Sequence, residues 1–278
     1  MKKLFAMIMA LVLMLTCFAG CQPKDTTPGT TAADTTPDTT AAAEATDMSY
    51  VLDNGKLVVG ITDYAPMDFK DDNGEWTGFD AEFAQLFAAE LGVECEFYVL
   101  ADWGKKFMEL ETKNIDCVWN GMTITEEAQT NSSVSDPYVI NAQVVVMKAD
   151  KIADYATAES MLDLTFAVEN GSAGQDAAEA IGATKVIAVQ DQAAALMEVA
   201  AGTSDACVID ITMANAMTGE GTSYADLAKG ISLTEEEYGV SFRKDSDLTA
   251  KFNEFMAAIK ADGTLQQLAD KYQLTLAD

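Results

Sequence analysis

The chain opens on an apolar block, passes through a polar one, and then alternates. Leu4 to Leu15 is an almost unbroken apolar run behind Lys2 and Lys3. It falls short of the ~20 apolar residues that a membrane-spanning helix needs. Residues 22–47 are mostly Thr, Ala, Asp and Pro, with no aromatic and no large aliphatic residue. Such a segment buries too little apolar surface to offset its ordering entropy, and is expected to act as a flexible tether. From Met48 the pattern becomes that of a globular body of about 230 residues, large for one core and suited to two lobes.

In the first half of the body, Leu57–Ile61 reads as a short buried strand. Asp72-Asn73-Gly74 is a hairpin turn signal between Phe69 and Trp76. A helix is predicted over Phe79–Leu91, with Phe79, Phe83, Leu86, Phe87 and Leu91 on its buried face and Gly92 as its stop. The strands Glu94–Leu100 and Ile115–Trp119 follow, with a short helix near Lys105–Glu111 between them. The pattern then repeats: strand Leu164–Glu169, helix Gln175–Ile181, strand Lys185–Val189, helix Gln192–Ala201, strand Ala206–Ile209. Alternating strands and helices predict an α/β fold with a mainly parallel sheet, flanked by helices, in each lobe.

Both halves place an Asp just before a buried strand, in Ile115-Asp116-Cys117-Val118 and in Ser204-Asp205-Ala206-Cys207-Val208, which points to two lobes of one architecture. Ile140–Met147 and Ile231–Phe242 are expected to carry the chain out of the first lobe and back. Two crossings make a hinge, and a hinge makes a cleft. Helices at Leu248–Lys260 and Thr264–Tyr272 end the chain, and Thr264 with Gln267 is expected to form a capping box. The expected division is 48–141 for the first part of lobe one, 142–234 for lobe two and 235–278 for the return segment.

The start of the chain has a charged n-region, an apolar core and small residues before a cut site, so residues 1–20 are expected to be a signal peptide. Phe18-Ala19-Gly20-Cys21 resembles the bacterial lipobox, with Phe18 where Leu is usual. Cys21 would then carry a diacylglycerol and begin the mature chain, held to the outer face of the cytoplasmic membrane or in a periplasm. The alternative is an ordinary signal peptide with an incidental cysteine.

Composition removes several function classes. The 278 residues include 45 acidic and 17 basic side chains, a net charge of −28. Nucleic acid is an implausible partner, because binding it relies on Lys and Arg at the phosphates. There is no His, so zinc sites built on histidine, Ser-His-Asp triads and Cys-His dyads are excluded. Cys95, Cys117 and Cys207 each sit in a strongly apolar run and are expected as buried free thiols. Asp71-Asp72-Asn73-Gly74 lacks the spacing of a calcium loop, and Gly171-Ser172-Ala173-Gly174 is too short for a nucleotide fingerprint. No metal or other cofactor is expected.

An ordered series of motifs carries a resemblance. It comprises Leu57–Gly60, Tyr64-Ala65-Pro66, Gly78-Phe79-Asp80, Asp102-Trp103, Ile115-Asp116, Gly121-Met122-Thr123-Ile124-Thr125, Ser135-Asp136-Pro137-Tyr138, Glu236-Glu237-Tyr238-Gly239 and Ala261-Asp262-Gly263-Thr264. From about Leu57 to Leu274 the chain resembles the extracellular solute-binding proteins of ABC importers, polar amino-acid class (solute-binding protein family 3). The resemblance implies a two-lobed periplasmic-binding-protein-like fold, monomeric, that closes over a small ligand and delivers it to a membrane permease. It matches Tyr64 and Trp103 to aromatic residues that sandwich the ligand side chain. It matches Asn120, Gly121 and Thr123 to the polar edge of lobe one, and Ser172 and Ala173 to the lobe-two loop that opens a helix. It matches Asp210 to the carboxylate that pairs with the ligand's ammonium group. Independently, Asp210 follows Cys207-Val208-Ile209 at the carboxyl end of a strand, where α/β sheets bind ligands.

One departure stands out. The family carries an Arg after its Thr-Ile-Thr motif, which clamps the ligand's α-carboxylate; here Ala128 occupies that place, and Ala173 stands where Thr is frequent. Arg243, the single Arg of the chain, matches a solvent-side position and is a poor substitute. Two accounts stay open. The carboxylate is held by backbone N–H groups at Gly171-Ser172-Ala173-Gly174, a helix N-terminus. Or the ligand is an amine without an α-carboxylate, held by Asp210, Trp103 and Tyr64 as a cation site. Two further classes compete with binding: a dehydratase-type enzyme on the same fold, with Asp210, Glu169 and a Lys as proton-transfer candidates, and a sensor domain that feeds a separate receptor.

Overall fold

The computed structural model describes residues 46–278. The expected signal peptide, Cys21 and nearly all of the tether lie outside the described residues. The body begins two residues ahead of the expected boundary. Thr46 caps the helix Asp47–Asn54 by accepting from Ser49 N, and Asp47 Oδ1 accepts from Arg243 Nε at 2.8 Å.

Two five-stranded sheets organise the body, in the orders Glu94–Val99, Lys56–Ile61, Cys117–Val118, Ser241–Phe242, Ser133–Val134 and Lys185–Val189, Thr165–Glu169, Ala206–Asp210, Gln143–Lys148, Leu227–Ser232. In each, the first three strands are parallel and one antiparallel strand separates them from the fifth. The antiparallel strands, Ser241–Phe242 and Gln143–Lys148, follow directly on the two crossings. The crossings pair with each other as an antiparallel ribbon, Val139–Asn141 with Glu236–Tyr238. The Ile140–Met147 run, expected to carry the chain out of the first lobe, is two strands split at Ala142, where the chain passes from ribbon to second sheet.

The Asp that precedes a buried strand in each lobe has a shared task. Asp116 N donates to Val58 O at 2.7 Å and its Oδ2 accepts from Val58 N at 2.9 Å. Asp205 does the same with Thr165, at 2.9 and 2.8 Å. Each closes the ladder where two parallel strands begin. Arg243 is not solvent-side: its guanidinium is buried in lobe one, on Asp116 Oδ1 at 2.9 Å and Ile115 O at 2.6 Å.

The predicted helix Phe79–Leu91 is present, ended by Gly92 in the left-handed conformation. Its buried stripe runs through Phe79, Asp80, Phe83, Ala84, Phe87 and Ala88, whereas Leu86 is exposed. Phe83 packs on Trp119 with ring centroids 4.9 Å apart, and Trp119 on Phe252 at the same distance. Burying each such ring contributes roughly 1.5–3 kcal/mol. The expected capping box at Thr264 does not form; Gly263 is the cap, and Asp262 Oδ1 accepts from Thr264 N. Cys117 and Cys207 are buried and Cys95 is half-buried; all three are free thiols.

Candidate functional site

A cavity lies where the carboxyl ends of the strands of both sheets face each other. Lobe one contributes Trp103 and Lys106 from one segment, and Asn120 to Thr123 with Thr125 and Glu127 from another. Lobe two contributes Glu169, Gly171, Ser172, Ala173, Asp176, Gln192 and Asp210, with Gln143 from the strand beyond the hinge. The space between these residues is about 30 Å3, room for one water and not for an amino acid. Admitting a solute therefore requires the lobes to part.

The lips of the cleft are in contact. Asn170 Nδ2 donates to Asp102 Oδ1 at 2.8 Å. Lys106 Nζ donates to Gly171 O at 3.0 Å. Gly171 has φ +69°, and a Cβ added there would lie 2.6 Å from Gly104 Cα, so the two backbones touch. Deeper in, Tyr64 Oη of lobe one meets Thr212 Oγ1 of lobe two at 2.6 Å and Tyr238 Oη at 2.5 Å.

Asp210 sits at the end of its strand and starts the helix Ile211–Met217. Its carboxylate accepts from the side-chain amides of Asn141, Gln143 and Gln192. The amides of Asn141 and Gln143 also donate to Glu236 Oε1, each at 2.7 Å. Thr123 Oγ1 donates to the same oxygen at 2.8 Å. Two carboxylates thus share two amide donors at the hinge ribbon. Burial pushes the Asp210 carboxyl up to about 7, the charge of Glu236 adds to this, and the amide bonds oppose it. Glu169 is buried as well, and its Oε1 has no hydrogen-bond partner. Burial, then the charges of Asp210 and Asp191, holds it well above the usual carboxylate range.

Lys106 is the basic group of the lining. Its side chain is 6% exposed, and its ammonium stands over Trp103 at 5.0 Å and Phe107 at 4.8 Å from the ring centroids. Burial pulls its pKa below the ordinary lysine value, against the charges of Glu127 and Glu169. Composition and motif reading missed this residue. The signal was its place: Trp103, Lys106 and Leu110 share one helical face, and the other two are buried apolar residues.

Of the residues that the resemblance matched, Trp103, Asn120, Gly121, Thr123, Ser172, Ala173 and Asp210 line the cavity; Tyr64 and Ala128 do not. The Tyr64 ring is buried against Gly121, where a Cβ would come within 2.6 Å of its Cε1, and its hydroxyl is committed to Thr212 and Tyr238. Ala128, 1% exposed, packs in the apolar cluster of Trp103, Leu110, Ile115 and Met122. Asn120 is tied within its own lobe, accepting from Thr62 N at 2.5 Å and donating to Thr62 Oγ1 at 3.0 Å. Asp80 Oδ2 accepts from Gly121 N at 2.5 Å and Tyr138 Oη at 2.8 Å, and so fixes the loop that forms this edge of the cavity. Ser172 caps the helix Ala173–Ala180, accepting from Gln175 N.

Several proteins similar to this chain are named as binding proteins. The L-cystine-binding protein TcyJ of Escherichia coli is 29% identical over 228 residues, which span 81% of this chain and 85% of TcyJ. The arginine-binding extracellular protein ArtP of Bacillus subtilis is 29% identical over 229 residues, 78% of this chain and 86% of ArtP. Among solved structures, a mutant of ArgBP from T. maritima superposes with a TM-score of 0.76 at 32% identity, over 81% of this chain and 98% of its own. The ancestral amino acid-binding protein AncCDT-1, a precursor of cyclohexadienyl dehydratase, gives 0.74 and 32% with the same coverage. The model of the bacterial extracellular solute-binding proteins, family 3, matches residues 57–275, and the chain belongs to that family.

Proposed function

We propose that this protein is the lipid-anchored substrate-binding subunit of an ABC importer, and that it captures a small amino acid with a cationic side chain in its interlobe cleft. Release to a permease follows when the lobes part. The observation that carries this reading is the charge of the cavity. Glu127, Glu169, Asp176 and Asp210 line it against the single ammonium of Lys106. Of these, Glu169 and Asp210 are buried while Glu127 and Asp176 lie nearer solvent. A buried carboxylate without a cation is costly to ionise, and a ligand with more than one positive group offsets that cost in this lining. ArtP is named as arginine-binding and ArgBP from T. maritima has been solved bound to arginine, which agrees with the class.

A second reading is an amine that lacks an α-carboxylate. It is supported by the position of Ala128, which leaves no guanidinium in the cavity. A thermal-shift screen of the protein against amino acids and biogenic amines separates the two. A ligand at 100 times its dissociation constant adds ~2.7 kcal/mol of stability. Stabilisation by a cationic amino acid is the expected result; stabilisation by amines alone favours the second reading, and by neither class contradicts both.

A further inference from the structure

In the resemblance set out above, the α-carboxylate of the ligand is met by an Arg at the position of Ala128. Here that position is closed inside an apolar cluster. The positive charge enters the cavity from a different element, the short helix Lys106–Glu111. An ammonium has three N–H donors, and among the described residues the acceptor within hydrogen-bond distance of Lys106 Nζ is Gly171 O, at 3.0 Å. The carboxylate that approaches it, Glu127, stays 3.9 Å away and is 60% exposed. That separation is beyond the 2.7–2.9 Å typical of a charge-assisted hydrogen bond. The cation is therefore buried, held from beside by the Trp103 and Phe107 rings, with Glu127 as a long ion pair and no carboxylate of the described residues within hydrogen-bond distance.

Its bond to Gly171 O sets it next to the start of the helix Ala173–Ala180, capped by Ser172. The first-turn N–H groups of a helix have no intrahelical acceptor, and its dipole favours an anion there. Ammonium and helix start come from opposite lobes and meet at the same end of the cavity.

We propose that Lys106 is the carboxylate receptor of the cleft. Together with the first turn of the Ala173–Ala180 helix it holds the α-carboxylate of an amino acid whose ammonium lies toward Asp210. Because the same ammonium bonds Gly171 across the lips, carboxylate recognition and closure act through one atom. A ligand without a carboxylate leaves this cation with only its long pairing to Glu127, and a cationic one is repelled by it. The inference rests on the amino-acid reading of the site given above.

The test is isothermal titration of the whole protein, wild type, Lys106→Met and Lys106→Arg. Each is titrated with whichever of the twenty standard amino acids or cystine binds wild type tightest, and with the decarboxylated amine of that amino acid. Loss of one charge-assisted contact predicts that Lys106→Met binds the amino acid about tenfold or more weakly. The amine is expected to bind Lys106→Met more tightly than wild type, because a like charge has gone. Lys106→Arg should recover most of the amino-acid affinity. Equal amino-acid affinity in wild type and Lys106→Met overturns the assignment and leaves the amino-acid reading intact. So does an amine that loses as much as the amino acid, which marks a purely structural lysine. If wild type binds no amino acid, the reading of the site fails and this assignment fails with it.

Discussion

The ammonium of Lys106 and the carbonyl oxygen of Gly171 stand 3.0 Å apart across the cleft, one from each lobe. Beside them Gly171 and Gly104 bring the two backbones into contact. The lips therefore close on groups that also line the cavity, and the contact can be tested from either side.

Gly171→Ala tests it from the backbone. A residue with a Cβ at positive φ costs roughly 1–2 kcal/mol whether the lobes are open or closed. The clash with Gly104 Cα, at 2.6 Å, arises only when they are closed. We expect the variant to fold and to bind its ligand about tenfold or more weakly, a difference of ~1.4 kcal/mol or more. Small-angle scattering with saturating ligand should give a larger radius of gyration than wild type. Unchanged affinity and radius would show that the lips do not meet at this glycine in solution.

Asp210→Asn tests the ammonium end. The carboxylate is 3% exposed, and removing one partner of a buried charge pair costs roughly 3–5 kcal/mol. The substitution also turns an amide toward the amide donors of Asn141, Gln143 and Gln192, so the melting temperature should fall as well. In the wild type, burial and Glu236 hold the Asp210 carboxyl up at about 7. A cationic ligand needs the carboxylate, so affinity should rise with pH through 7 and level off above it. Titrations between pH 5.5 and 8.5, buffered at constant ionic strength, read this directly; a flat profile would separate Asp210 from the ligand.

Stability should run the other way with pH. Asp68, Asp80, Glu169 and Asp210 all have carboxyl groups raised by burial, Asp80 and Asp210 to about 7. The folded state then binds protons that the unfolded chain has released. Stability from these groups is complete below the unfolded values near 4 and is lost as pH climbs through their folded values. Both oxygens of Asp68 are buried without a hydrogen-bond partner. Asp68→Asn should raise the melting temperature at pH 8 and reduce its decline between pH 5 and pH 8. A melting temperature that is lowest at pH 5 contradicts this account.

Arg243→Met separates fold from site. Its guanidinium bonds Asp116 at 2.9 Å and Asp47 at 2.8 Å, and lies outside the cavity lining. Breaking that buried network should cost roughly 3–5 kcal/mol of stability, measured by chemical denaturation. A small change would mean that water replaces the pairs at little cost.

The elements most legible in the sequence are those with local punctuation. Helices Phe79–Leu91 and Gln192–Ala201 have the predicted bounds because Gly92 and Gly202 stop them in the left-handed conformation. Helix Ile211–Met217 was not foreseen; it begins on the last residue of a strand with no turn between them. The motif that ends in Ala128 was legible as a motif, but its direction was not. Whether a side chain at 128 faces cavity or core depends on Trp103 and Leu110 packing over it. Tyr64 shows the same limit: Thr212 and Tyr238, which take its hydroxyl, lie 148 and 174 residues away. Lys106 was hidden because a lysine among apolar helix positions looks solvated until the second lobe covers it.

The most direct test is a crystal structure of the protein with its tightest-binding amino acid. The account predicts a ligand between the lobes, its ammonium within hydrogen-bond distance of Asp210 and its carboxylate on Lys106 Nζ and the first turn of the Ala173–Ala180 helix. A ligand outside the cleft, or one whose carboxylate is met by other groups while Lys106 keeps only Gly171, would contradict it.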